Sequence, residues 1–152
     1  MKNVIIDTCV LIHIIRETIT GKNCIQAISI IDEDANIIIS VVTKAEIESF
    51  VLQNNWGIKK IEKLQKLLDE ITVIDINQSD KILLGEYTKI DSYSKRKVND
   101  KSGNTLKESA RKMGKNDLWI AATSSALKVP LITCDGDFDH LNTTFLDLIK
   151  VV

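Results

Sequence analysis

Proline occurs once and glycine six times in 152 residues, too few for a flexible linker or a low-complexity segment. Cysteine is also scarce. Cys9, Cys24 and Cys134 are odd in number and lack Cys-x-x-Cys spacing, which argues against a disulfide framework and a zinc knuckle and favours free core thiols. The two histidines, His13 and His140, form no helical pair and complete no Ser-His-Asp arrangement. Aromatic residues are only 5% of the chain, so base stacking is not an evident route to nucleic-acid sequence choice. No apolar run approaches a membrane span, and the N-terminal run meets Asp7 without a small-residue cleavage site. A cytoplasmic protein is expected.

The composition that remains is 44% hydrophobic and 27% charged, enough to build one core without disulfides or structural metal. Residues 1–152 are therefore expected to form one domain. The formal net charge of -1 conceals a cationic stretch from Ser92 to Asn116, where Lys95, Arg96, Lys97, Lys101, Lys107, Arg111, Lys112 and Lys115 face only Asp100 and Glu108.

Strand and helix patterns alternate along the chain. Asn3 to Ile6 reads as a strand, Cys9 to Glu17 and Cys24 to Ile31 as helices, and the β-branched run Ile37 to Val42 as a strand buried on both faces. Thr43 and Glu46 match a capping box that would open the next helix. Ile58 to Glu70 carries Ile58, Ile61, Leu64, Leu67 and Leu68 on one helical face. "ITVIDI" reads as a strand, "SDKILLGEYTKI" as a helix, the basic stretch as a loop flanked by short helices, and "NDLWIAATSSALK" as a helix capped by Asn116. "VPLIT" and "FLDLIKVV" supply the last strands. This order implies an α/β domain with a mostly parallel sheet.

Parallel strands place their carboxyl ends, and their sites, on one edge. Asp7 follows the first strand, Glu46 follows "IIISVV", Asp117 opens a helix, and Asp135 and Asp137 follow "PLIT". Each alone could be a helix N-terminal or turn acid. Together they repel unless a cation neutralises them, and an all-oxygen set selects a hard ion such as Mg²⁺ or Mn²⁺. Such a site suits phosphodiester hydrolysis.

"VIIDTCVLI", "SVVTKAEI", "NDLWIAATS" and "LITCDGDF" resemble, in order and spacing, the motif regions of PIN-domain ribonucleases, most closely the VapC-type toxins of bacterial toxin–antitoxin modules. Residues from about 54 to 111 match no motif. The resemblance implies a three-layer α/β/α domain and a Mg²⁺- or Mn²⁺-dependent endoribonuclease, with Asp7, Glu46 and Asp117 at the matching acidic positions. Asp135 and Asp137 both compete for the fourth. Thr133 would orient a metal-bound water or a carboxylate, and Asn116 would cap the Asp117 helix. Glu48 is displaced from Glu46 by roughly 200° around a helix, so it would not share the site. The resemblance also implies an RNA substrate, a small antitoxin partner and a homodimer. Lys95, Arg96, Lys97, Arg111, Lys112 and Lys115 are candidates for a phosphate-binding lip, with a solvated loop as the plainer alternative.

Rival readings lack parts. A cysteine phosphatase would need a glycine in "VLIHII" between Cys9 and Arg16; a receiver module, with Asp75 as acceptor, would need paired acids after the first strand; a haloacid-dehalogenase-like enzyme would need an aspartate two residues after Asp7. A PIN-fold interaction domain without catalysis remains the alternative from another class.

Overall fold

The computed structural model describes residues 1–152. The chain runs β1 (Asn3–Ile6), α1 (Thr8–Ile15), α2 (Ile19–Ile31), β2 (Asn36–Ser40), α3 (Val41–Gln53), α4 (Ile58–Glu70), β3 (Thr72–Ile74), α5 (Lys81–Ser94), α6 (Lys115–Leu127), β4 (Leu131–Thr133), a 3-10 turn (Gly136–Leu141) and β5 (Leu148–Lys150). All four strand pairings are parallel, in the order β3-β2-β1-β4-β5. The sheet is thus wholly parallel rather than mostly so. No helix is long and apolar enough to cross a membrane.

Side-chain alternation on the strands explains the three layers. Ile5, Ile38 and Leu131 point to one face, where they meet Ile90 and Tyr93 of α5 and Leu118 and Ala121 of α6. Val4, Ile6, Ile39 and Ile132 point to the other, against Val10 and Leu11 of α1, Cys24 and Ile28 of α2, Ile47 of α3 and Leu64 of α4. Both faces are covered, which is why these strands read as continuous apolar runs. Burying one such side chain contributes about 1.5–3 kcal/mol, and the central strands β1 and β4 bury every apolar residue they carry. Gly21 permits the close α1–α2 approach: a Cβ there would lie 2.2 Å from the His13 carbonyl oxygen.

Several boundaries differ from the sequence reading. β2 ends at Ser40, and Val41 and Val42 belong to α3. Ser40 is the N-cap, its hydroxyl accepting from Val42 N at 3.2 Å, so the Thr43–Glu46 capping box does not form. The cap is set where β2 leaves its last pairing, Ser40 with Ile74, and a serine at that point satisfies a free N–H before Thr43 is reached. Likewise Gly114, not Asn116, caps α6; Asn116 lies inside the first turn and is exposed. The Gly114 carbonyl already accepts from Leu118 N at 3.0 Å, so the helix begins one residue before Asn116. Residues 95–114 contain no helix; Asp100 Oδ1 organises a turn there by accepting from Ser102 N and Asn104 N, each at 2.9 Å. Trp56 is buried, whereas Trp119 is half-buried and packs on Tyr87 of α5, 4.2 Å between ring centroids.

Candidate metal centre

The chain moves outward from β1 in both directions, to β2 on one side and β4 on the other, creating a crevice at the carboxyl ends of β1 and β4. Asp7 leaves β1 at that crevice and caps α1. It is 4% exposed, yet its carboxylate is fully engaged: Oδ1 accepts from Val10 N (3.0 Å) and Cys9 Sγ (3.1 Å), and Oδ2 accepts from the Thr133 hydroxyl. Thr133 Oγ1 in turn accepts from Asp135 N at 3.1 Å, linking the turns after β1 and β4. Burial still pushes the Asp7 carboxyl up, outweighing the three hydrogen bonds that pull it down.

Glu46 lies in the second turn of α3, half-buried, and its Oε1 accepts from Thr8 Oγ1 at 2.7 Å. The same hydroxyl is 3.3 Å from Thr43 Oγ1. Glu48 is exposed on another side of α3. Thus Glu46 is directed toward the β1 turn by Thr8, not by a capping box.

Asp117 sits in the first turn of α6 and its carboxylate has no hydrogen-bond partner. Burial and then the negative charges of Asp137, Asp135, Asp7 and Glu46 push it up to about 7. A helix N-terminus favours a carboxylate by about 0.3–1 kcal/mol, so here the dipole loses to desolvation and four like charges. The structure therefore brings all five acids to one end of the sheet. Asp135 and Asp137 divide the space: Asp135 is half-buried and near enough to disfavour the Asp7 charge, whereas exposed Asp137 is the largest charge acting on Asp117. Asp135 Oδ1 also accepts from Asp137 N at 3.0 Å, fixing the turn between them.

The tightest group of potential ligand atoms is different: Asp7, Cys9 and Cys134 lie within 4.8 Å of one another, and no three carboxylates approach so closely. The acids therefore make no closed cage of carboxylates, and a hard divalent ion held here would bind through one or two of them and retain water. Net repulsion, visible in the raised Asp117 carboxyl, is the force a cation would relieve.

The cationic residues separate into two groups. Arg111 is anchored beside the acids, its Nη1 donating to the Gly136 carbonyl oxygen at 3.1 Å, and with Lys112 and Asp137 it lines a cleft of about 320 Å³. Lys115 begins α6 and is exposed. Lys95, Arg96 and Lys97 are exposed at the end of α5, where Ser94 O accepts from Arg111 N at 2.7 Å. Asn116, no cap, lines a second groove of about 380 Å³ with Glu46 and Gln53.

Three features escape sequence reading. Thr8 holds Glu46 across 38 residues, and Cys9 meets Cys134 across 125; only the β1–β2 and β1–β4 registers could reveal these contacts. Ser94 Oγ lies 2.8 Å from His140 Nε2 in the interior, although His140 Nδ1 has no partner and no carboxylate completes a triad. The Ser94–His140 pair joins α5 to the 3-10 turn.

Thr133→Val should lower the unfolding free energy by about 1–3 kcal/mol, because it leaves Asp7 Oδ2 and Asp135 N without their shared partner. Thr133→Ser keeps the hydroxyl and should recover most of the loss. Urea unfolding checks both; an unaffected Thr133→Val midpoint would rule the link out.

The PIN domain model matches residues 4–143. No curated protein sequence matches significantly. Among solved structures, VapBC2 from Rickettsia felis, bound to a promoter DNA fragment, superposes with a TM-score of 0.74 at 18% identity, covering 99% of both chains. VapBC-1 from nontypeable Haemophilus influenzae gives 0.70 at 21%, covering 97% of both. VapBC-5 from Mycobacterium tuberculosis, a member of a toxin–antitoxin family, gives 0.58 at 23%, covering 99% of this chain and 100% of that one.

Proposed function

Because the chain belongs to the PIN-domain family, we propose that it is a Mg²⁺- or Mn²⁺-dependent endoribonuclease, the toxin of a toxin–antitoxin pair. The observation that carries this reading is Asp117, an unbonded carboxylate raised to about 7 by burial and four converging acids. A divalent ion bound there would neutralise the acids, oppose phosphate charge and make water more acidic. Asp7, Glu46, Asp117, Asp135 and Asp137 are the candidate acids in this reading, one or two of them binding the ion directly and the others through its waters. Thr133 and Cys9 hold Asp7, and Thr8 holds Glu46, so these two carboxylates are positioned before RNA arrives. Asp117, free of such bonds, would accept a proton from the attacking water at a carboxylate oxygen.

The test is cleavage of a mixed RNA pool with Mg²⁺ or Mn²⁺, beside an EDTA control and folded Asp117→Asn. Cleavage requiring both ion and Asp117 supports the nuclease. A folded protein that neither cleaves nor binds the ion would instead favour a non-catalytic interaction domain.

Arg111, Lys112 and Lys115 would meet the phosphate backbone beside the acids, with Lys95, Arg96 and Lys97 as a second cationic group at the end of α5. Replacing Lys95, Arg96 and Lys97 together with alanine should weaken RNA binding and flatten its salt dependence, the slope becoming shallower by up to about 0.7 for each phosphate no longer neutralised. Filter binding across a salt series checks this, and an unchanged slope would free the segment of that role. The partners in this reading are RNA and a small antitoxin. A homodimer is also expected; equilibrium sedimentation showing monomer alone would refute it.

A further inference from the structure

Cys9 stands in the first turn of α1 and Cys134 directly follows β4. These strands are paired through Ile6 and Ile132, which brings the two free thiols to 2.7 Å, Sγ to Sγ. Both are half-buried, and Cys9 Sγ also donates to Asp7 Oδ1 at 3.1 Å. A disulfide needs about 2.05 Å, so a further approach of about 0.7 Å would close the bond. Cys24 is fully buried on α2, leaving Cys9 and Cys134 as the accessible pair.

We propose that Cys9 and Cys134 form a reversible disulfide across the floor of the acidic crevice, made by a peroxide and broken by thiols, and that its state sets how strongly Asp7 holds a divalent ion. The coupling to the ion rests on the metal-dependent reading above; the disulfide does not. With hydrogen peroxide as oxidant, Cys134 sulfur attacks one peroxide oxygen, the O–O bond breaks, and a sulfenic acid and water result. Cys9 sulfur then attacks the sulfenic sulfur and the S–O bond breaks, releasing a second water. Two thiols have given up two electrons and two protons.

Cys134 acts first because its sulfur is not tied to a carboxylate, whereas Cys9 Sγ is engaged with Asp7 Oδ1. Once the bond forms, the Cys9 S–H no longer occupies Asp7 Oδ1. That oxygen then keeps only the Val10 N–H and has room for an ion.

The purified protein would be oxidised with hydrogen peroxide, desalted, unfolded in iodoacetamide and weighed. Alkylated cysteines should fall from three to one, the remaining label on Cys24, with a Cys9–Cys134 peptide link that dithiothreitol reverses. Three labels, a bond to Cys24 or a link between two chains would overturn the disulfide. Calorimetric Mn²⁺ titration should give a dissociation constant at least about threefold lower in oxidised than in reduced protein. Equal constants would overturn the coupling alone. No Mn²⁺ binding in either state would overturn both the metal reading and the coupling, while the alkylation count still decides the disulfide.

Discussion

Asp117→Asn should abolish RNA cleavage, by about 10²-fold or more, and at the same time make the ion-free protein more stable at pH 8. Both effects come from one carboxylate. In the folded chain Asp117 holds its proton up to about 7, because burial and the charges of Asp137, Asp135, Asp7 and Glu46 oppose ionisation; in the unfolded chain it releases that proton near 3.8. Between these values the folded state binds more protons, so stability falls as pH rises through the window and the penalty is complete above it. Asparagine removes the charge while keeping the shape. The variant should therefore exceed the wild type at pH 8, by less than the full shift would give because solvent screens a half-buried group, with the difference closing toward pH 4. His140 acts in the opposite direction: burial, with the nearby Arg111 charge, lowers it to about 4, so acidification below 6.5 favours the unfolded chain. Comparing wild type with variant at each pH cancels that contribution. Urea melts in EDTA from pH 5 to 8 would test the stability half, and a variant less stable than wild type at pH 8 would refute the charge-crowding account.

Mn²⁺ or Mg²⁺ should raise the melting temperature of the wild type at pH 8. An ion at one hundred times its dissociation constant stabilises the native state by about 2.7 kcal/mol. For a domain of this size each kcal/mol moves the midpoint by about 2–4 °C, so an increase of about 5–10 °C is expected. The gain should shrink at pH 5, where the ion must displace the proton held by Asp117. Asp7→Asn should lose most of the gain, because Asp7 is the acid fixed most firmly, by Val10, Cys9 and Thr133 together. Scanning calorimetry with the ion and with EDTA distinguishes the cases. Equal shifts for wild type and Asp7→Asn would place the ion elsewhere.

The two observations pull against each other in a way common to functional sites. Crowding of acids around buried Asp117 opposes its ionisation in the ion-free fold, and in the proposed reading relief of that crowding would contribute to cation affinity. Core layers on both faces of the sheet carry the penalty. Binding at the crevice would remove it.

Sequence periodicity by itself determined the alternation of strands and helices, the span Ile58–Glu70 of α4, and the α/β class, because apolar spacing records which faces must leave water. It also directed Asp7, Glu46, Asp135 and Asp137 to one edge, since each follows or trails a strand end, and Asp117 to the same edge as the acid that opens α6. It misplaced the caps. Ser40 and Gly114, not Thr43 and Asn116, are the caps, because the end of the β2–β3 pairing sets the first and the backbone bond from Leu118 N to Gly114 O sets the second. Only the tertiary structure decided what holds each acid: Thr8 on Glu46, Thr133 and Cys9 on Asp7, and nothing on Asp117. It alone also set Cys9 beside Cys134. Those contacts span up to 126 residues and depend on strand register, which local spacing does not encode.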